Sequence, residues 1–231
     1  MNQGGTEVGS DAEGFVQNVE EGKLLEIARM HDAVVRLEVF PGDFITREDI
    51  LARFWCRGDD ADSLGRELRR TIAIGKQRSY EDDMGLGMQQ LSLIAVRSLS
   101  PALNAIGAAM DALDRLMASF VRLGSREIPS PYRRDHDGRL RVVTRPWDLS
   151  ALVDGALDPI RHAATSNPSV VMDVMRRLAG SAPRIRNPEL RRIVLRHLDE
   201  FADSSAQFPQ QADRIRVRQL YARLRQHRPA A

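Results

Sequence analysis

Cysteine occurs once in the 231 residues, as Cys56. The chain therefore has no internal disulfide framework and no Cys-rich metal motif, and a reducing compartment is the simpler expectation. No stretch approaches the roughly 20 uninterrupted apolar residues that crossing a bilayer requires. The acidic, Gly-rich start, residues 1–13, has neither the basic nor the apolar region of a signal peptide, so neither insertion nor export is expected. Lysine is nearly missing: Lys23 and Lys76 are the only two among 34 basic residues, and the net charge is only +2. Nucleic acid is not an expected partner on composition, because its binding needs positive charge gathered on one face. The chain also lacks HExxH, Gly-x-Ser-x-Gly and a Gly-rich phosphate loop. Catalysis by a known motif is disfavoured, and no cofactor or metal is expected.

What is present describes a folded chain. An apolar fraction of 42% beside 29% charged residues supplies enough burial to offset the entropy of ordering. The expected class is α+β, mainly α: a small N-terminal β subdomain followed by a bundle of antiparallel helices. Residues 1–13 read as a disordered leader and 14–57 as the β-rich subdomain. Its strand-like runs include Leu24 to Ile27, Val34 to Phe40 and Phe44-Ile45, with a turn at Pro41-Gly42-Asp43. Residues 58–124 read as a helical core, 125–147 as a loop with a hairpin at Asp137-Gly138, and 148–231 as a C-terminal helical region.

Within the helical core, helices are expected over residues 62–74, 81–99 and 101–123. Leu103, Ile106, Met110, Leu113, Met117 and Phe120 alternate steps of three and four, so they form one buried stripe. Beyond the loop, helices are expected over 149–165, 168–178, 188–202 and 212–225. Asn167 and Asn187 stand as caps before Pro168 and Pro188, and Pro159 should kink the first of these helices or delay its start.

The helix over 81–99 is apolar around much of its circumference, yet Asp83, Gly87, Gln90, Ile94 and Arg97 fall on one stripe. Across Ser100-Pro101, the residues Asn104, Ala108, Asp111 and Arg115 form a second stripe of the same spacing. If the two stripes face each other, their polar groups must pair, since an unpaired buried charge is costly. The bland reading is register-fixing pairs or exposed ion pairs. The functional reading is a polar ligand pocket built from Arg78, Asp83, Gln90, Arg97, Ser100 and Asn104. The carboxylates of Glu81, Asp82 and Asp83 could serve a hard cation, although helix capping explains them at lower cost.

The run from Arg78 to Leu116, RSYEDDMGLGMQQLSLIAVRSLSPALNAIGAAMDALDRL, resembles the signature of a predicted membrane protein family, domain of unknown function 2254. The matching positions are Arg78, Asp83, Gly87, Gln90, Leu91, Ile94, Ala95, Leu99, Ser100, Pro101, Asn104, Ala109 and Asp114. The segments GFVQNV, PGDFIT and ALDPIRHAA are similar to further family segments. Two departures stand out: Ala102 replaces the glycine after Ser-Pro, and Ala105-Ile106 replaces an Asp-Pro, removing an acid that could help to coordinate a ligand. The resemblance implies membrane-spanning helices ahead of this region in relatives, and it brings no established activity.

From Arg184 onward there are eleven arginines, the last at Arg228, against five acids. Such a face suits anionic lipid headgroups as well as plain solvation. His197 shares an apolar face with Leu190, Val194 and Phe201 and reads as a hydrogen-bonded core histidine rather than a ligand. The leading expectation is a noncatalytic interaction or regulatory module, cytoplasmic and peripheral to the inner membrane. Its expected partner is a membrane protein, an anionic membrane surface or a second copy in a homo-oligomer. A pocket-bearing ligand-binding protein or enzyme is the alternative, and nucleic-acid binding through the Arg-rich helices a weaker one.

Overall fold

A computed structural model describes residues 4–57, 61–81 and 83–226. Residues 1–3, Asp82 and Arg228 lie outside the described residues. The chain is α+β and mainly α, and it divides into two compact units. Of the described residues, the first unit takes those up to Leu86 together with Ile128–Trp147, and the second takes Gly87–Glu127 and those from Asp148 to Gln226.

The first unit is built on two sheets. β1 (Thr6–Gly9), β5 (Ile50–Trp55), β3 (Val34–Leu37), β8 (Leu140–Val143) and β7 (Tyr132–Arg134) lie in that order in a five-stranded sheet. All its pairings are antiparallel except β3 with β8. β4 (Phe44–Ile45), β2 (Gly14–Val19) and β6 (Ile72–Gly75) form the second sheet, antiparallel throughout. Two helices, α1 (Glu21–Met30) and α2 (Ala61–Arg69), complete it. Alternation in β3 and β5 sends Val35, Leu37, Ala52 and Phe54 into one core with Leu24, Ile27, Leu64 and Leu68 from the helices.

Several expectations are corrected here. Thr6–Gly9 is a strand, not part of a disordered leader, because its backbone is paired along β5 from Thr6↔Phe54 to Gly9↔Ile50. Leu24 to Ile27 is helical: Leu24, Ile27 and Ala28 recur at three and four residues and face the core together. The helix after residue 61 ends at Arg69, and Ile72–Gly75 becomes a strand because β2 offers it a pairing edge. The hairpin within 125–147 forms, and β8 adds to β3, so this loop belongs to the β-rich unit.

Charges tie that return in place. The buried Arg141 donates from Nε to Asp135 Oδ2 and from Nη1 to Asp32 Oδ1, each at 2.7 Å. Asp135 also accepts the Asp137 and Arg139 amides in the β7–β8 turn. These bonds, Arg141's foremost, hold the Asp135 and Asp32 carboxyls below the usual carboxylate range.

The second unit contains most of α3 (Met84–Ser98), then α4 (Ile106–Gly124), α5 (Leu149–Ala164), α6 (Pro168–Ser181), α7 (Pro188–Ser204) and α8 (Gln211–Gln226). Met110, Leu113, Met117 and Phe120 of α4 are buried as their spacing requires. The stripe begins later than expected. Asn104 adopts a left-handed φ of 44° and the Leu103 and Asn104 amides both close on Ser100 O, so residues 101–104 form a turn and Leu103 is exposed. Asp148, Asn167 and Asn187 cap α5, α6 and α7 by accepting the Ala151, Val170 and Leu190 amides at 2.8, 3.2 and 2.9 Å. Each such cap contributes about 1 kcal/mol. α5 starts at Leu149 and runs through Pro159. Gly124 ends α4 against Ile185, whose Cγ2 would lie 2.5 Å from any added Cβ.

Candidate functional site

The six residues expected to line one pocket serve two different ends. Asp83 is buried and Arg78 donates from Nε to its Oδ2 at 2.5 Å. The other oxygen, Oδ1, accepts the Leu86 amide at 3.0 Å, which is the bond an N-cap residue makes to the first turn of its helix. Asp83 therefore starts α3. Its carboxylate also lies against Gly42, which has a φ of +97° and no room for a Cβ beside the acid. Gly42 donates its amide to Val16 O at 2.8 Å, and Val16 donates to Asp43 O at 2.9 Å. The segments PGDFIT, GFVQNV and the Arg-to-Asp run thus meet in one knot within the first unit.

The remaining four lie in the second unit. Gln90, Arg97 and Asn104 are exposed, and Ser100 is half-buried at the turn that closes α3. Gln90, Ile94 and Arg97 do share a stripe, as the spacing requires, but the stripe faces solvent. Ile94 is 49% and Leu93 39% exposed on the same helix, and Leu103 is 65% exposed on the turn that follows. The second stripe, Asn104, Ala108, Asp111 and Arg115, is exposed too. The expected sheltered row is corrected accordingly: the one buried acid has both oxygens occupied, and the other side chains present a mixed apolar and polar surface. Sequence spacing gave the stripe and could not give its direction, because burial depends on elements distant along the chain.

Two further features were not legible as sites. A cavity of about 240 Å³ in the first unit is lined by Val19, Leu37, Val39, Phe40 and Trp147. Phe40 and Trp147 meet edge to face at 4.9 Å, and Arg133 reaches Glu21 at 2.8 Å beside them. In the second unit, α5 and α7 gather Asp154, Asp158 and Arg161 around Arg196, His197 and Glu200. His197 is fully buried, and its Nε2 stands 2.8 Å from Asp154 Oδ1. Burial pushes the Asp154 carboxyl up, but the Arg196 and His197 hydrogen bonds outweigh it and leave it below the usual range. Asp158, His197 and Glu200 offer three donor atoms within 4.8 Å of one another, a spacing that fits a metal ion.

The arginines of α8 divide. Helical spacing of about 3.6 residues per turn puts Arg214, Arg218 and Arg225 on one flank and Arg216 and Arg223 on the other. Gln211, Ile215, Gln219, Ala222 and Gln226 lie on the outward face between the two flanks. No helix among the described residues is long and apolar enough to cross a membrane.

Comparison with known proteins places these features in context. The model of a family described as a predicted membrane protein, domain of unknown function 2254, matches residues 1–180. The chain is 28% identical over 204 residues to uncharacterized protein Rv1290c of Mycobacterium tuberculosis and to uncharacterized protein Mb1321c of Mycobacterium bovis. Those alignments cover 83% of this chain and 39% of each relative, so the matched region is well under half of the relatives' length.

Proposed function

The chain belongs to the family of predicted membrane proteins that carries domain of unknown function 2254, and from that premise we propose that this region is a noncatalytic interaction module. It acts at the cytoplasmic side of the inner membrane, and α3 is its docking element. The partner is the membrane-spanning part of a protein of the same family.

The observation that carries this reading is the outward face of α3. It sets Leu93 and Ile94 between the polar Gln90 and Arg97, and Leu103 follows on the next turn. An apolar strip rimmed by polar groups is the composition of a contact surface. It lies on a helix that bears five of the family-like positions, Gly87, Gln90, Leu91, Ile94 and Ala95. The relatives extend well beyond the matched region, and the family is described as one of predicted membrane proteins; these two facts support a membrane-spanning partner.

Vesicle flotation tests the proposal. The chain should float with phosphatidylglycerol-rich vesicles that carry a full-length family relative and stay behind with the same vesicles lacking it. Ile94→Asp should abolish the retention. Equal retention on bare anionic vesicles would point instead to a lipid surface, and absence of retention on both would sink the module reading.

A further inference from the structure

The geometry points to a divalent metal site between α5 and α7, in which His197 Nδ1, Glu200 and Asp158 hold a zinc-class first-row ion and Asp154 orients the histidine. It is independent of the docking face on α3.

The argument begins with the proton on the imidazole. Asp154 Oδ1 lies 2.8 Å from His197 Nε2 and can only accept, so the Nε2 atom carries the ring proton. In the neutral ring this leaves a lone pair on Nδ1. That atom is buried and has no hydrogen-bond partner. It faces oxygen: Glu200 Oε2 stands 3.2 Å away without forming a hydrogen bond to it, and Asp158 Oδ1 stands 3.9 Å away. A lone pair held against two carboxylates is unfavourable unless something positive lies between them.

A metal ion meets that need in position and in charge. Bonds of about 2.0–2.2 Å to nitrogen and oxygen in a tetrahedral shell place donor atoms roughly 3.3–3.5 Å apart. The observed approaches of 3.2 and 3.9 Å bracket that figure, with all three donors inside 4.8 Å. Three carboxylates, Asp154, Asp158 and Glu200, face two guanidinium groups. Arg196 bonds Asp154 Oδ1 and Glu200 Oε1 at 2.5 and 2.6 Å. Arg161 bonds Asp158 Oδ1 at 2.8 Å, while its Nε lies 3.8 Å from Glu200 Oε2 and has no hydrogen-bond partner. With a neutral histidine, one negative charge remains uncompensated. The carboxylate–histidine pair behind the donor atom is the arrangement that fixes the tautomer of metal-binding histidines. An imidazole among the donors favours zinc and its neighbours over magnesium or calcium. The carboxylates of Asp158 and Glu200 are 40% and 30% exposed, so the ion can be reached from water and keeps a position for it.

The test uses the full chain stripped of metal and titrated with Zn²⁺ by calorimetry, with the ring nitrogens followed by ¹⁵N NMR. One ion per chain should bind. The His197 Nδ1 resonance should move on binding while the Nε2 proton persists. Glu200→Gln and Asp158→Asn should each weaken binding at least tenfold, and Asp154→Asn should weaken it about 10–100-fold by releasing the ring. His136→Gln, in an exposed turn, should leave it unchanged. The proposal is overturned if Zn²⁺ does not bind, or if binding survives Glu200→Gln undiminished. It is equally overturned if the His197 ring is doubly protonated at neutral pH and indifferent to zinc, because a proton then occupies the place assigned to the ion.

Discussion

Arg78 and Asp83, knotted against Gly42, and the outward face of α3 are neighbouring parts of the same family-like run, yet they stand in opposite physical conditions. In the knot, a buried carboxylate has a guanidinium on one oxygen and a helix amide on the other, and a glycine makes room for it. On the face, Gln90, Ile94 and Arg97 are turned to solvent. The contrast teaches that a recurrent polar residue need not be a ligand. Where both oxygens are spoken for, the residue builds the fold; where side chains stand outward beside exposed leucine and isoleucine, they are free to meet a partner.

Substitutions can break or sharpen that contrast. The largest effect belongs to Gly42→Ala, which adds a Cβ at a φ of +97° and drives it into Asp83. Backbone strain and overpacking together should cost about 3 kcal/mol, read as a lower denaturant midpoint. Asp83→Ala follows, at about 2 kcal/mol, because α3 loses its cap and the buried bond from Arg78 Nε is lost with it. Asp83→Asn keeps the capping oxygen and should recover part of that loss. If both Asp83 variants were neutral, the knot would not be structural.

The acid limb comes next. Arg141 holds Asp135 and Asp32 below the usual carboxylate range. Carboxyls whose folded pKa lies beneath the unfolded value of about 4 stabilise the fold above that pH, and the contribution disappears as pH falls through the folded value. Stability should therefore decline below about pH 4, and Arg141→Met should flatten that decline in an acid titration followed by circular dichroism. The smallest effects belong to the α3 face. Gln90→Ala and Arg97→Ala should each change stability by less than about 0.5 kcal/mol, while reducing recovery with the membrane partner.

Much of the helical unit could be read from the chain because its signals are local. Asn167-Pro168 and Asn187-Pro188 announce two helix starts, and the α4 stripe from Met110 to Phe120 is buried as spaced. Errors arose where pairing between distant segments decides. Ile72–Gly75 is a strand only because β2 lies beside it, and Leu140–Val143 joins β3 across more than a hundred residues. The start of α4 was displaced by a single left-handed residue, Asn104, which spacing cannot reveal. The site was legible to the same degree. The α3 stripe could be drawn but not pointed. The cluster at His197 needs α5 and α7 side by side, and no pattern within either helix discloses that Asp154 and Asp158 will meet His197 and Glu200.

Site-specific photocrosslinking asks most directly whether the outward face of α3 is where this module meets its partner. A photoreactive residue at position 94, in the presence of membranes carrying a full-length relative, should yield a crosslink to that relative. The same group at Glu48, exposed in the β-rich unit, should yield none. Silence from position 94, or equal crosslinking from both positions, would contradict the account.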